Sequence, residues 1–237
     1  MEKVDAIILA GGLGTRLKNF VSDLPKVLLP VNGKPFLDIL LDHLDKSGMI
    51  GKVILAVGYR AEKVIEHYRN SRNFSFRIVF SVETELLGTG GAIKKALGYS
   101  ETNNVLVMNG DSYVDVNLEE MSAVHRAKKA AMTVVVNEVS DASRYGRVLL
   151  AGDGRLVAFE EKKNDPAGGY VNAGVYLLKK NLFEKVEENK VLSWEKELLP
   201  FFLGDSVFGF VTQGKFIDIG IPETYKISGD YLKGIIT

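Results

Sequence analysis

"ILAGGLGTRLKNFVSDLPK", residues 8–26, follows a short apolar run with three glycines and an arginine, and it ends on a lysine. A glycine-rich turn after a strand is typical of open α/β sheets, which bind ligands beyond the carboxyl ends of their strands. Glycines at that place let the backbone close around phosphate oxygens, and Arg16 would add a planar set of donors. A tight turn beside a surface arginine explains the same residues equally well.

The glycine spacing excludes two common phosphate-binding motifs. Residues 11–16 match neither GxGxxG nor GxxxxGK[ST]. Lys26, taken alone, is typical of a solvated side chain. The stretch therefore predicts a strand followed by a turn, and it leaves the ligand open.

Short β-branched runs alternate with amphipathic segments through the first half of the chain, which predicts βαβ units and a mostly parallel sheet. Beyond residue 116 the strands are joined by turns, which favours mixed pairing. The predicted strands cover residues 4–9, 53–57, 76–82, 105–109, 132–136, 147–150, 156–160, 172–178, 207–211 and 216–219. The predicted helices cover residues 36–47, 61–69, 90–97, 117–128, 194–202 and 222–233.

These patterns predict an α/β fold: a Rossmann-like, mostly parallel mixed sheet flanked by helices, with a smaller mixed-strand part. The chain has 237 residues, of which 46% are hydrophobic, and this suits one domain over residues 1–237 with two halves that meet near residue 116. No repeat, low-complexity tract or linker divides it.

The composition narrows the classes of partner. Thirty basic and thirty acidic side chains cancel, so no long-range field would gather nucleic acid or an anionic membrane. The absence of cysteine excludes disulfides and thiolate sites, and it fits a reducing compartment. No apolar run approaches the length that spans a membrane. We expect a soluble cytoplasmic protein that meets any anionic ligand with locally placed cations.

Two aspartates follow or end apolar strands. Asp111 comes after the strand at 105–109, where it could hold a hard cation such as Mg²⁺ or cap the following turn. Asp218 lies within an apolar strand, and a buried carboxylate needs a partner or a metal. The spacing alone does not decide between these readings of Asp111.

Taken in order, the motifs resemble the sugar-1-phosphate nucleotidyltransferase family, which has the nucleotide-diphospho-sugar transferase fold. The resemblance covers nearly the whole chain and is closest to the D-glycero-D-manno-heptose 1-phosphate guanylyltransferases. It rests on residues 11–16, Lys26, and residues 87–92, 109–111, 159–162, 172–174 and 216–223. Phe216 and residues 221–222 depart from the wider family pattern, and this leaves the choice of sugar open.

The resemblance implies an in-line displacement in which a sugar 1-phosphate attacks the α-phosphorus of a nucleoside triphosphate. It makes residues 1–116 the nucleotide-binding half and residues 117–237 the sugar-phosphate-binding half. Arg16 would stabilise the leaving pyrophosphate, Lys26 would bridge the reacting phosphates, and Lys162 would hold the sugar phosphate. Mg²⁺ would be held by Asp111 and Asp218.

The resemblance also implies the contacts to each substrate. A carboxylate at Glu83 suits the adjacent N1–H and N2–H₂ donors of guanine, which favours GTP. The implied nucleotide-binding residues are Leu9, Gly11, Gly12, Gly14, Thr15, Glu83, Gly88, Thr89 and Gly90. The implied sugar-binding residues are Gly146, Glu161, Asn172 and Gly174.

Several alternatives stay open from the sequence. The enzyme could use UTP, or mannose, glucose or N-acetylmuramate 1-phosphate, or the chain could be a non-catalytic nucleotide-sugar-binding relative; it would be a monomer or a homodimer. Asp115 fits a helix cap better than a second metal ligand. Trp194 and the three histidines are expected to be structural or surface residues.

Overall fold

The computed structural model describes residues 3–17, 24–69, 74–143, 145–160, 168–204 and 206–236. Its strands are β1 Val4–Leu9, β2 Pro30–Val31, β3 Lys34–Pro35, β4 Ile50–Val57, β5 Arg77–Val82, β6 Asn104–Asn109, β7 Ser112–Val114, β8 Met132–Val139, β9 Arg147–Leu150, β10 Leu156–Glu160, β11 Gly169–Lys179, β12 Val207–Thr212 and β13 Phe216–Asp218. Its α-helices are α1 Phe36–Ser47, α2 Ala61–Arg69, α3 Gly88–Leu97, α4 Leu118–Ala127, α5 Leu199–Phe202 and α6 Pro222–Tyr231.

The main sheet has the order β10-β9-β11-β6-β1-β4-β5, with β8 paired to β11 and β12. The strands β5, β4, β1 and β6 are parallel, whereas β11 runs antiparallel to β6, β8 and β9. The predicted mixed α/β sheet is therefore confirmed: the strands of the first half pair in parallel, and the second half adds both antiparallel pairs and the parallel pair of β12 with β8. The antiparallel β11 joins the strands of the second half to the same sheet.

Helices cover both faces of this sheet. Alternate residues of β1 point to opposite sides: Ile8 packs with buried residues of α1, α2 and α4, and Ile7 packs with α3. Trp194 lies on the α3 side and is 1% exposed, stacked on Phe183 with ring centroids 5.6 Å apart. Its predicted place in the core is confirmed. The core on this side extends to residues near the carboxyl ends of the parallel strands.

The parallel strands align their carboxyl ends at one edge. Leu9 pairs with Ala56 of β4 and with Asn109 of β6, so the turns after β1 and β6 begin side by side. The N–H of Gly110 donates to the carbonyl of Leu9 over 3.0 Å. A side chain at Gly110 would place its Cβ 2.4 Å from that carbonyl oxygen, so the close approach requires glycine.

Most differences between the predicted and the observed secondary structure involve short strands and turns. The helices at 36–47 and 61–69 have the predicted ends, but the two-residue strands β2 and β3 and the three-residue β7 were not predicted. β2 and β3 form a hairpin over Asn32 and Gly33, both with positive φ. Asn-Gly is the usual signal for such a turn, so the sequence did contain it. The predicted helix at 194–202 is a π-helical turn, Trp194–Leu198, followed by α5.

The predicted cap of α4 is wrong. Asn117, not Asp115, accepts hydrogen bonds from the N–H groups of Glu119 and Glu120, each over 3.1 Å. A cap must directly precede the first helical residue, Leu118, and Asp115 is too far back along the chain. Asp115 is exposed, and its carbonyl accepts a hydrogen bond from Thr212.

The buried histidine His125 has a structural partner. Its Nδ1 lies 2.9 Å from the hydroxyl of Thr133, and burial lowers its pKa to about 4. It lies on α4 and lines neither cavity described below. None of the helices described here is both long and apolar enough to cross a lipid bilayer.

Candidate functional site

Two neighbouring cavities open at the carboxyl edge of the sheet. The first, of about 480 Å³, lies between the glycine-rich turn after β1, the start of α3 and residues 191–195. The second, of about 660 Å³, lies between β7, β13, β11 and the same π-helical turn. Four side chains line both cavities: Lys26, Asn109, Asp111 and Glu195. This shared wall marks where ligands in the two cavities would meet.

Most of the predicted nucleotide-binding residues line the first cavity. They are Leu9, Gly11, Gly12, Gly14, Glu83, Gly88 and Thr89. Two predicted ones do not. Thr15 is exposed in the short 3₁₀ turn Thr15–Leu17. Gly90 is buried, and a Cβ there would lie 2.7 Å from Leu198 and 3.0 Å from the carbonyl of Leu192. Gly90 is thus needed for packing, and its contact with a ligand stays a prediction.

The glycines at 88–91 make room for a distant segment of the chain. A Cβ at Gly91 would lie 2.4 Å from the carbonyl oxygen of Lys190. The N–H of Gly90 donates to the carbonyl of Leu192 over 2.8 Å, and the N–H of Trp194 donates to the hydroxyl of Thr89 over 2.8 Å. The start of α3 thus holds residues 190–194 against the first cavity.

Glu83 presents a partly buried carboxylate to the first cavity. Its Oε2 accepts the N–H of Leu87 over 3.0 Å. Its Oε1 lies close to the turn after β1, 3.1 Å from where a Cβ on Gly11 would be. Burial raises the pKa of Glu83 above its ordinary value, although the Leu87 N–H and Lys95 oppose the shift. The carboxylate is therefore held in place by one oxygen, and its desolvated charge favours a ligand that donates hydrogen bonds.

The second cavity contains three of the predicted sugar-binding residues, Gly146, Asn172 and Gly174. Arg16 lines this cavity and not the first, although its predicted partner was the triphosphate. Glu161 and Lys162, predicted to bind the sugar and its phosphate, lie outside the described residues. So do residues 18–23, which include most of the predicted loop between Arg16 and Lys26.

A lysine and two aspartates converge on the wall of the second cavity. Lys26 forms an ion pair with Asp111, and Ser112 donates a hydrogen bond to the other oxygen of that carboxylate over 3.2 Å. Burial acts to raise the pKa of Asp111, but the charge and hydrogen bond of Lys26 outweigh it, so this pKa lies below its ordinary value. The carboxylate is charged at neutral pH.

The antiparallel pairing of β13 with β7 brings in the second aspartate. Asp218 lies opposite Ser112, and its Oδ1 accepts the N–H of Gly220 over 3.0 Å. A Cβ on Gly220 would be 2.8 Å from that oxygen and 3.1 Å from the Lys26 ammonium nitrogen. The Lys26 ammonium group, which pairs with Asp111, and the carboxylate of Asp218 therefore both lie next to Gly220.

Two carboxylates suit Mg²⁺, which keeps several waters and takes phosphate oxygens as further ligands. Across the described parts of the chain, no group of three or more histidine, aspartate or glutamate side chains could hold a metal ion. The pair Asp111 and Asp218 fits an ion that is completed by substrate phosphates. It does not fit one that is enclosed by protein alone.

Sequence reasoning missed two residues of the shared wall, Asn109 and Glu195. The amide of Asn109 donates to Glu195 Oε1 over 3.5 Å, and the amide of Asn172 donates to the same oxygen over 3.4 Å. Asn109 ends a predicted strand two residues before Asp111, which was a usable signal. The only sequence signal for Glu195 was that an acidic residue stands next to a tryptophan expected in the core. The position of Glu195 depends on how residues 190–198 pack.

Comparison with known proteins agrees with this geometry. The Nucleotidyl transferase family matches residues 5–225. The chain is 42% identical over 224 residues to D-glycero-alpha-D-manno-heptose 1-phosphate guanylyltransferase of Aneurinibacillus thermoaerophilus, which covers 94% of this chain and 96% of that protein. It is 37% identical over 222 residues to the protein of the same name from Campylobacter jejuni, covering 94% and 97% respectively.

A solved structure resembles the whole fold. The crystal structure of HddC from Yersinia pseudotuberculosis has a TM-score of 0.86 and 36% identity, and the match covers 97% of this chain and 100% of that one. A second HddC structure, a complex with GMP-PN, matches equally well. The family match over nearly the full length, together with the two cavities at the strand ends, shows that this chain belongs to the nucleotidyl transferase family.

Proposed function

We propose that this chain transfers GMP from GTP to D-glycero-D-manno-heptose 1-phosphate, giving GDP-heptose and pyrophosphate for surface polysaccharide synthesis. The observation that carries the proposal is the shared wall, where Lys26 and Asp111 line both cavities. The names of the relatives in Aneurinibacillus and Campylobacter support heptose 1-phosphate and guanylyl transfer. The HddC complex with GMP-PN supports a guanine nucleotide as one substrate, which the first cavity would hold.

The reaction joins two polyanions, so the site must offset their repulsion. Two unit charges 4 Å apart repel by about 4 kcal/mol at an effective dielectric constant near 20. An oxygen of the sugar phosphate forms a bond to the α-phosphorus of GTP, and the bond from that phosphorus to the bridging oxygen of pyrophosphate breaks. The attacking phosphate is already ionised at neutral pH, so no side chain has to remove a proton.

Side chains of the shared wall and of the second cavity would position and neutralise these phosphates. Lys26 reaches both cavities and would contact the reacting phosphates, while Arg16 would contact phosphate from the second cavity. A Mg²⁺ ion held by Asp111 and Asp218 would offset charge at the α-phosphate. Positioning and electrostatic stabilisation of this kind provide most of the catalysis in phosphoryl transfer.

We expect Glu83 to select the base. With Oε2 held by the N–H of Leu87, Oε1 would accept the N1–H or N2–H₂ of guanine. In Glu83→Gln, the side-chain oxygen would keep the Leu87 bond and turn an NH₂ group towards the guanine donors. The kcat/KM for GTP should fall about 10- to 100-fold, while that for UTP changes little.

Pyrophosphate release measures this outcome. The assay combines each of four nucleoside triphosphates with heptose, mannose, glucose and N-acetylmuramate 1-phosphates and Mg²⁺. Glu85→Gln is the matched control, since Glu85 is exposed and lines neither cavity. If no pair of substrates released pyrophosphate, the enzymatic function would be refuted and a nucleotide-sugar-binding protein would be favoured. Better use of UTP than of GTP by the unmodified protein would refute the role of Glu83.

The position of Lys26 predicts that the divalent cation binds together with the nucleotide. Its ammonium group pairs with Asp111 and lies beside Asp218, where a divalent cation would bind. Triphosphate binding would draw Lys26 towards the phosphates and free both carboxylates, so the metal should enter with the nucleotide. Mn²⁺ binding without nucleotide, followed by electron paramagnetic resonance, should be at least 10-fold tighter in Lys26→Met than in the unmodified protein.

The control is a second lysine–aspartate pair, Lys34 with Asp42, which lies outside both cavities. Lys34→Met should leave Mn²⁺ binding unchanged. In Lys26→Met, the added Asp218→Asn change should abolish the gained binding. Equal Mn²⁺ affinity in the unmodified protein and in Lys26→Met would show that Lys26 does not compete with the metal.

A further inference from the structure

Glu195 is an acidic side chain at the point where the two cavities meet. It lines both of them, beside Lys26 and Asp111. It is not needed for the proposed metal site, which Asp111 and Asp218 complete with phosphate oxygens. A negative charge also opposes phosphate binding, so its presence beside the reacting phosphates needs another explanation.

The structure holds Glu195 in place from two sides. Its Oε1 accepts hydrogen bonds from the amides of Asn109 on β6 and Asn172 on β11, over 3.5 and 3.4 Å. The π-helical turn that carries it is fixed by Trp194, whose side chain is buried and whose backbone N–H donates to the hydroxyl of Thr89 over 2.8 Å. π-Helical turns are rare and frequently occur at functional sites. The carboxylate is thus positioned before any ligand arrives.

Asn172, the predicted sugar contact, is largely occupied within the protein. Its two amide hydrogens go to the hydroxyl of Tyr176, over 2.6 Å, and to Glu195. Its side-chain oxygen accepts the N–H of Gly174 over 3.1 Å. Asn172 therefore has no amide hydrogen left for a sugar. In this structure its amide group holds the carboxylate of Glu195.

Given the proposed function on which this step rests, we propose that Glu195 is a specificity-determining residue that accepts a hydrogen bond from the sugar. A carboxylate selects ligand groups that donate, and hydroxyls are the donors of a sugar phosphate. Its bond to Asn172, which lines the second cavity alone, places it on the sugar side. Its position on the shared wall selects the hydroxyl nearest the phosphate, the one on C2.

The test compares Glu195→Gln with the unmodified protein on the sugar 1-phosphate and on its 2-deoxy analogue. Glutamine has nearly the same shape, keeps an oxygen for the two asparagines and removes the charge. On the full substrate, kcat/KM for the sugar 1-phosphate should fall about 10- to 100-fold, as for a lost hydrogen bond to a charged group. The KM for GTP should stay within about 2-fold.

The 2-deoxy analogue separates a sugar contact from a structural role. The unmodified protein should lose about as much activity on the analogue as Glu195→Gln loses on the full substrate. Glu195→Gln should lose no more than about 3-fold further on the analogue, because the interaction is already absent. Additive losses, or a rise confined to the KM for GTP, would overturn the assignment.

Glu197→Gln is the matched control. Glu197 lies on the same turn, accepts the N–H of Ser193 over 2.7 Å and lines neither cavity, so its activity should be unchanged. Full activity of Glu195→Gln beside an active unmodified protein would refute the role of Glu195 and leave the proposed function intact. No turnover by the unmodified protein on any sugar 1-phosphate would refute both.

Discussion

Replacing Asp111 with asparagine is expected to lower turnover on the order of 100- to 1000-fold while the fold is retained. The substitution removes a charged oxygen ligand for the proposed metal ion, and it removes the ion-pair partner of Lys26. Losses of this size are typical when one preorganised electrostatic contact to a transition state is removed. Pyrophosphate release at saturating substrates measures the effect, and circular dichroism verifies the fold.

The stability of this variant should change little. The side chains of Lys26 and Asp111 are 15% and 36% exposed, and Asp218 remains near the Lys26 ammonium group in the variant, so loss of the ion pair should cost about 1 kcal/mol. Asp115→Asn is the matched control, since Asp115 is exposed, follows closely in sequence and lines neither cavity. Near-normal turnover in Asp111→Asn would remove the metal assignment and leave Asp111 as a partner of Lys26 alone.

Among the substitutions proposed for this protein, Trp194→Ala should lower the free energy of unfolding most. The indole is 1% exposed and contacts the rings of Tyr176, Phe183 and Phe202. Truncating a buried tryptophan costs about 3–5 kcal/mol, since it removes transfer free energy and leaves a cavity. The loss comes mainly from this ring packing. Urea unfolding measures the change.

The control is Phe201→Ala on the adjacent helix α5, where the side chain is 72% exposed. Its free energy of unfolding should change by no more than about 0.5 kcal/mol. Trp194→Ala should also reduce kcat/KM for the sugar 1-phosphate in the fraction that remains folded, because Glu195 is its neighbour on the turn. A loss below about 1 kcal/mol would show that residues 194–198 are held mainly by their backbone hydrogen bonds.

Local patterns in the chain were enough to predict the frame of the site. The period of apolar residues predicted the parallel strands, and parallel strands align their carboxyl ends whatever side chains they carry. Gly11 and Asp111 could therefore be assigned to one edge of the sheet without coordinates, and the resemblance to the family added Lys26.

Short elements and caps were harder to predict, because their signals are weak or compete. The strand β7 has three residues, too few for a period to show, yet it brings Asp218 opposite Ser112. Asp115 and Asn117 are both capping residue types, and a shift of two positions decides which one caps α4. Such choices depend on where the helix begins, which sequence patterns define least well.

The order of apolar runs, glycine turns and strand-end carboxylates is local information, and it was sufficient for the α/β fold and the binding edge, whereas the charged centre of Lys26, Asp111 and Asp218 was implied by the resemblance to the nucleotidyltransferase family. The contents of the two cavities were not local. Glu195 reaches Asn109 across 86 positions of sequence, and it does so because glycines at 88–91 leave room for residues 190–192. Close packing between distant segments sets which side chain faces a ligand, and no periodicity along the chain encodes that.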